Sequence, residues 1–438
     1  MRSFFLLSLV VLLLPSVARP QAPAANWAAW RGPHGDGSAP GDPPLKWDEK
    51  TNVKWKVEVP GRGSSTPIVW GDRVFLLAAV DTGRKAAAAD LPKVDPRFDK
   101  KTRPPQTYHQ FLVLCYDRKS GKELWRRTAA EAVPHEGHHS SHTYAAYSPV
   151  TDGRRLYVHF GSQGAHCYDL DGNRLWQRDL GRLQTRLGWG EGGSPALKGD
   201  TLVIGRDQEE GSCLLALDAR TGATRWKVDR DEKTQWATPL VTEYQGRVQV
   251  IVNATKRVRS YDLADGKLIW ECGGQTPNAI PSPVRFEGQA ICVSGYRGSA
   301  ALAIPLGSTG DITDAKKVVW RHGRGTPYVP SPLLYEGRLY FTQANDVLLT
   351  VLDARTGKAL VERQRLKGAN SFYASPVGAA GRVYLVGRNG TAVVLKAGDK
   401  PEVLAVNKLD DPIDASPAVV GKQLFLRGEK HLYCLEAN

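Results

Sequence analysis

Residues 116–125 read YDRKSGKELW: an apolar strand ends on aspartate, a glycine-bearing turn follows, and a second strand closes on tryptophan. Aspartate at the first position of such a turn bonds back to the backbone, and glycine takes the positive φ that a bulged hairpin needs. The phrase returns as YDLDGNRLW at 168–176, LDARTGATRW at 217–226, YDLADGKLIW at 261–270 and, ending on valine, LDARTGKALV at 352–361. A hairpin that recurs in this way belongs to a repeat architecture.

A second signal sets the period. Ser or Thr precedes Pro at Thr66-Pro67, Ser148-Pro149, Ser194-Pro195, Thr238-Pro239, Ser282-Pro283, Ser331-Pro332, Ser375-Pro376 and Ser416-Pro417. The intervals between prolines are 82, 46, 44, 44, 49, 44 and 41 residues, so one long gap interrupts a period near 45. After each pair come a few apolar residues, a turn and a β-rich run such as GDRVFLL, GDTLVIG or EGRLYFTQ, which predicts a further hairpin per unit. The fifth unit departs with PLGSTGDITDAKKVVW before Trp320, and the seventh with KAGDKPEVLAV and no tryptophan. The eighth stops at YCLEAN after its third strand, while NVKWKVEVPG around Trp55 is a tryptophan strand without the three that should precede it. The two ends complete one unit, which closes a ring and removes exposed sheet edges. The expected fold is all-β: an eight-bladed β-propeller closed by an N-terminal strand joining the last blade.

The remaining features place this ring outside the cytoplasm. The opening MRSFFLLSLVVLLLPSVARPQAPAA has a basic residue, an apolar run and small residues at candidate cleavage points. It predicts a signal peptide over 1–22, with an N-terminal extension over 23–46 and the propeller over 47–438. No cysteine precedes Cys115, so a lipid-attachment cysteine is not expected after the run, nor is any membrane span. The protein is expected to be soluble and exported, periplasmic or secreted, and monomeric. Of the net charge of +14, much is local: residues 84–127 hold twelve Lys or Arg against five Asp or Glu. No aromatic-basic interleaving accompanies it, so the basic stretch reads as solvated loop and blade edge, and nucleic acid is not an expected partner.

The Asp-x-x-x-Gly-x-x-x-Trp phrase, joined to the Ser/Thr-Pro openings and eight units, resembles the pyrroloquinoline-quinone-like β-propeller repeat family over about residues 47–437. That superfamily holds quinoprotein dehydrogenases, a non-catalytic lipoprotein of the outer-membrane assembly machinery, and exported proteins of unknown role. WAAWRGPHGDGSAP at 27–40 and the segment GWGEGGSP look like the last group. For a dehydrogenase the resemblance implies a quinone, a Ca²⁺ held by Glu, Asn and Asp, an Asp base and a disulfide between adjacent cysteines. No Cys-Cys pair exists here, and no catalytic residue carries over.

Site candidates follow from the topology. Residues just before each Ser/Thr-Pro should face the axial funnel: Arg62, Tyr147, Glu191, Gln235, Trp236, Asn278, Tyr328, Phe372, Tyr373 and Asp414. Of these, Arg62, Glu191, Trp236, Asn278, Tyr328, Tyr373 and Asp414 are the expected ligand or cofactor contacts, aromatic walls with a few polar groups being what a small ligand requires. The stretch HEGHHSSHTYAAYSP at 135–149 offers His135, His138, His139 and His142 as candidate metal ligands; the rival reading is an exposed polar loop. With the insertion at 79–107 it is expected to wall one side of the funnel mouth. The six cysteines are expected to be buried thiols. GWGEGGSP is followed by no helix, which excludes a phosphate loop. The expected function is a non-catalytic binding or scaffold module for a protein, an envelope polymer or a small ligand. The alternative is an oxidoreductase using pyrroloquinoline quinone with Ca²⁺ on an alcohol or sugar.

Overall fold

Each Ser/Thr-Pro pair stands immediately before the innermost strand of a sheet, as at Ile68–Trp70 and Ala196–Lys198. That strand turns one edge to the axis, where a backbone N–H would find no ladder partner, and proline has none to offer. In the computed structural model, which describes residues 26–437 apart from 94, 96 and 99, the strands form eight sheets, one per repeat. The expected eight-bladed propeller is the fold. Five blades are four consecutive antiparallel strands; the first runs Ile68–Trp70, Arg73–Lys85, Thr107–Asp117, Glu123–Ala132. The eighth joins Ala418–Val420, Gln423–Arg427 and His431–Glu436 to Val53–Glu58 from the other end of the chain. The expected signal peptide lies outside the described residues.

The residue before each proline links the blades. Its backbone N–H donates to the hydroxyl of the equivalent residue one blade on: Thr66 to Ser148 (3.0 Å), Ser148 to Ser194 (2.9 Å), Ser194 to Thr238 (2.9 Å) and Thr238 to Ser282 (2.8 Å). Ser282 to Ser331 (2.8 Å), Ser331 to Ser375 (2.9 Å) and Ser375 to Ser416 (2.9 Å) continue the circle. At the eighth junction, which the N-terminal strand closes, the Thr66 hydroxyl is buried with no partner among the described residues.

The tryptophans link the blades at the rim. Trp55, Trp125, Trp176, Trp226 and Trp320 each donate through Nε1 to a carbonyl in the Asp-x-x-x-Gly turn of the next blade, at 2.9–3.1 Å. The turn glycine is required twice over. At Gly222 φ is +74°, and a Cβ would sit 2.9 Å from the Trp176 ring. The fifth unit lacks this turn, so Trp270 bonds instead to Gln249 within its own blade. The freed segment Gly310–Asp311 crosses over to pair in parallel with the outer strand Leu268–Gly273 of blade four. Middle strands such as Arg73–Lys85 are buried continuously from Val74 to Ala79 rather than alternately, because neighbouring blades cover both faces. All six cysteines are buried, unpaired thiols. Burial pushes Cys115, Cys167 and Cys434 up to about 12.

Residues 26–42 run across the end of the axial channel opposite the Ser/Thr-Pro ring. Trp27 and Val69 exchange backbone hydrogen bonds, Thr151 N–H reaches Ala28, Leu334 N–H reaches Asp36, and Gly378 bonds to Gly37 and Ala39. Trp27 is wholly buried. Arg31 reaches up the axis to the carbonyls of Pro332 (3.0 Å) and Pro376 (3.1 Å).

Gly222→Ala and Gly246→Ala separate rim docking from backbone strain, since Gly246 has φ +78° but open space where its Cβ would go. Both pay about 1–2 kcal/mol for a left-handed alanine. Gly222→Ala is expected to lose roughly 1–3 kcal/mol more by displacing the tryptophan. Guanidinium unfolding followed by fluorescence measures the difference; equal losses would refute rim docking.

Candidate functional site

The loops at the Ser/Thr-Pro end enclose a cavity of about 430 Å³ on the axis. Trp30, carried by the N-terminal segment, lines it together with Trp189, Trp236, Tyr296, Tyr328 and Tyr373, and Ser64, His139, Ser141, His142 and Asp414 add polar groups. Tyr296 and Tyr328 overlap with ring centroids 4.8 Å apart, and Trp189 meets Tyr296 edge-on at 6.4 Å. Trp236 is fixed by its Nε1 bond to the Gly190 carbonyl (2.8 Å), and Tyr373 by its hydroxyl bond to Ser141 (3.2 Å), which bridges blades far apart in the chain. Such a set of fixed aromatic faces with scattered polar groups accepts a ring-shaped ligand.

One wall carries the histidine stretch and the segment from Trp189 to Ser194, and the insertion at 79–107 braces that segment from behind without lining the cavity. The insertion leans on the segment around Gly188: Lys101 N–H donates to Leu187 (2.9 Å), the Thr102 hydroxyl to Gly188, and the Lys100 ammonium to Glu136 (2.6 Å) and the Thr185 carbonyl (3.1 Å). From the other side His139 N–H bonds to Trp189 (3.0 Å) and His142 Nε2 to the Glu191 carbonyl (2.9 Å). GWGEGG is therefore a ledge pinned from both sides.

The residues foreseen for the funnel divide. Trp236, Tyr328, Tyr373 and Asp414 line the cavity, and Arg62 lines an annex beside it. Tyr147 and Phe372 are buried packing. Glu191 lies behind the ledge, accepting from Ser162 N–H (2.7 Å) and the Ser162 hydroxyl (2.5 Å), and burial raises its pKa. Asn278 is buried in a left-handed turn at φ +55°. Trp30, Trp189 and Tyr296 were not foreseen, although Trp30 and Trp189 stand in the two segments already singled out. The Glu, Asn and Asp that a quinone-bound Ca²⁺ would need do not converge: Glu191 faces a separate small cleft, Asn278 is not at the wall, and Asp414 is held by Arg388 at 2.7 and 3.0 Å. These residues do not fit that centre.

The four histidines are not gathered on one point either. His135 Nε2 bonds to the Leu183 carbonyl (2.6 Å), His138 Nδ1 faces the His139 carbonyl (2.8 Å), and His139 Nδ1 accepts from Ser141 (2.7 Å) in a local turn. Among the described residues, His135, Glu136 and Glu191 bring ligand atoms within 4.8 Å of one another. Lys100 and Thr185 occupy Glu136, and Ser162 occupies Glu191.

The family is read from residues 109–358, more than half of the chain, which match a family model described as outer membrane protein assembly factor BamB. The chain belongs to that family. Among solved structures, BamB from Moraxella catarrhalis resembles this BamB-family chain at 13% identity and a TM-score of 0.53, over 82% of this chain and 99% of that one. The computationally designed Ika8 protein does so at 12% and 0.54, over 86% and 98%. A europium-containing methanol dehydrogenase aligns at 13% and 0.48, over 93% and 90%. At these identities the likeness is one of fold. No curated relative matches the sequence. Among the described residues no helix is long and apolar enough to cross a membrane.

Burial pushes His142 down to about 4. Between its ordinary pKa near 6.5 and that value the unfolded chain takes a proton that the folded one refuses, so stability falls as pH falls through this window. The loss amounts to roughly 3 kcal/mol. Glu191, raised by burial, acts in the opposite sense as pH rises above the ordinary glutamate value. His142→Gln keeps an N–H for the Glu191 carbonyl and does not titrate. Urea unfolding at pH 7 and pH 4 is expected to show a drop smaller by about that amount in the variant.

Proposed function

We propose that this propeller is an exported, non-catalytic binding module that takes a small ligand, or the end of an envelope polymer, into the axial cavity. The observation that carries the reading is the cavity itself: about 430 Å³, with six aromatic side chains in its lining, one of them Trp30 from the N-terminal segment. A through-channel has no use for a segment laid across its end; a pocket has. Trp236 and Tyr373 are held by hydrogen bonds, and Trp189, Tyr296 and Tyr328 by contacts between their rings, before any ligand arrives, so little of their side-chain freedom remains to be lost on binding. The one serine–histidine contact at the wall, Ser141 with His139, is a turn two residues long, and among the described residues no carboxylate orients that histidine, which argues against nucleophilic chemistry. The family's description, an outer membrane protein assembly factor, supports a protein partner as well.

Native mass spectrometry of the full chain, purified gently from an exporting host, tests the reading against the denatured mass. A retained small-molecule or glycan adduct is expected, and Trp236→Ala combined with Tyr328→Ala is expected to weaken its retention at least about tenfold by removing two stacking walls. Dye-linked oxidation of alcohols or sugars after adding pyrroloquinoline quinone and Ca²⁺ would overturn it in favour of the dehydrogenase.

A further inference from the structure

The axial cavity has a second chamber. An annex of about 280 Å³ opens beside it, lined by Arg62, Arg388, Arg427 and Glu429, and the two spaces share Ser64 and Asp414 as common wall. The partition is a stack: the Arg388 guanidinium lies 4.0 Å over the Tyr373 ring, which faces the main cavity, and grips Asp414 with two nitrogens.

Two of the three annex arginines already have a carboxylate. Arg388 has Asp414, and Arg62 has Glu429 at 3.1 Å in a largely solvated pair. Arg427 has none. It is 1% exposed; Nη1 donates to the Gly428 carbonyl, Nη2 reaches the Gly61 carbonyl only at 3.5 Å, and Nε has no acceptor. Asp411, the other carboxylate near it, is committed to the N–H groups of Lys430 and His431 and to the His431 ring. Burial pulls the guanidinium down to about 10, which leaves it a cation at neutral pH. A buried cation answered only by carbonyls is poorly compensated, and an entering anion supplies the missing acceptor.

The main cavity specifies what carries that anion. A pyranose presents a face of C–H bonds that stacks on the electron-rich faces of tryptophan and tyrosine, and a girdle of hydroxyls that needs donors and acceptors at the edges. Trp189, Trp236, Tyr296 and Tyr328 provide the faces, and Ser64, His139 and Asp414 the edge groups. Ser64 lines both spaces, so a ring seated there would bring a carboxylate at its margin to the side of the annex.

We propose that the two chambers together bind an acidic sugar, such as a uronic acid residue of a glycan, with its pyranose ring among the aromatic walls and its carboxylate against Arg427 and Arg62. This rests on the binding role argued above and names its ligand class.

The test is titration calorimetry of the full chain with a galacturonate trisaccharide, with the galactose trisaccharide that differs only in lacking the carboxylates, and with pyrroloquinoline quinone. The acidic trisaccharide is expected to bind at least about tenfold more tightly than the neutral one, as a charge-assisted contact to a buried guanidinium should give. Arg427→Met, which removes an unmatched buried charge, should bring the two affinities within about twofold. Arg62→Ala, at an exposed position where misfolding is not at issue, should reduce the preference to an intermediate value. Trp236→Ala should weaken both sugars equally. Equal affinity for the two trisaccharides, or a preference that survives both arginine substitutions, overturns the acidic-sugar assignment and leaves the binding role standing. Binding of the quinone but neither sugar overturns the assignment alone. Binding of none of the three to a chain that also carries no adduct from its host overturns both.

Discussion

Every other dimension of this molecule depends on one short hydrogen bond, from the backbone N–H of a Ser or Thr to the hydroxyl of its counterpart in the next blade. Seven such bonds, each 2.8–3.0 Å, hold neighbouring inner strands at a fixed separation and so set the bore of the ring. Only a side chain with an oxygen one bond beyond Cβ reaches that far and no farther, which is why the position alternates between Ser and Thr and nothing else. The tryptophan that docks on the next blade's turn fixes the spacing at the rim. Inner and outer spacers together define the wedge angle, and eight wedges of that angle close. The sixth and seventh units lack the rim tryptophan as well, and between blades four and five, where Trp270 turns into its own blade, Gly310–Asp311 crosses the gap and restores a contact by pairing with the neighbouring outer strand.

A ring of inner strands leaves a row of carbonyls and N–H groups facing the axis, and these need partners or water. The proline of each pair removes one donor from that row. The N-terminal segment answers several of the remaining groups, from Val69 to Gly378, and Nη2 of Arg31 donates to the Pro332 and Pro376 carbonyls. Plugging the channel is thus first a matter of satisfying backbone, and only second a matter of shaping a pocket. That Trp30 then forms the floor follows from its place next to Arg31, whose reach along the axis carries its neighbour with it.

How much of this was legible depended on whether the chemistry is local. The hairpins were, because Asp-x-x-x-Gly-x-x-x-Trp states its turn within ten residues. The Ser/Thr-Pro pairs located the mouth, and through it Trp236, Tyr328, Tyr373 and Asp414. Convergence between blades was not legible. Glu191 and Asn278 occupy the same kind of position as Trp236 and Tyr328, yet the Glu191 carboxylate is drawn behind the wall by Ser162 and Asn278 is buried in a left-handed turn. The histidines crowd within eight residues of sequence, but each ring nitrogen that bonds does so to the nearest backbone or hydroxyl, so crowding in sequence did not become convergence in space. Trp30 was out of reach of any local argument, since its neighbour Arg31 is held by a carbonyl 345 residues downstream.

That long separation bears on when the pocket comes into being. The segment carrying Trp30 is among the first parts of the described chain to be synthesised, but the carbonyls that hold its neighbour Arg31 belong to the sixth and seventh blades, near the last. The floor is therefore laid only after almost the whole ring exists, and no partly folded chain presents a finished pocket. Whatever occupies the pocket rewards closure of the ring and nothing earlier, so occupancy and completed folding are thermodynamically linked: each raises the population of the other.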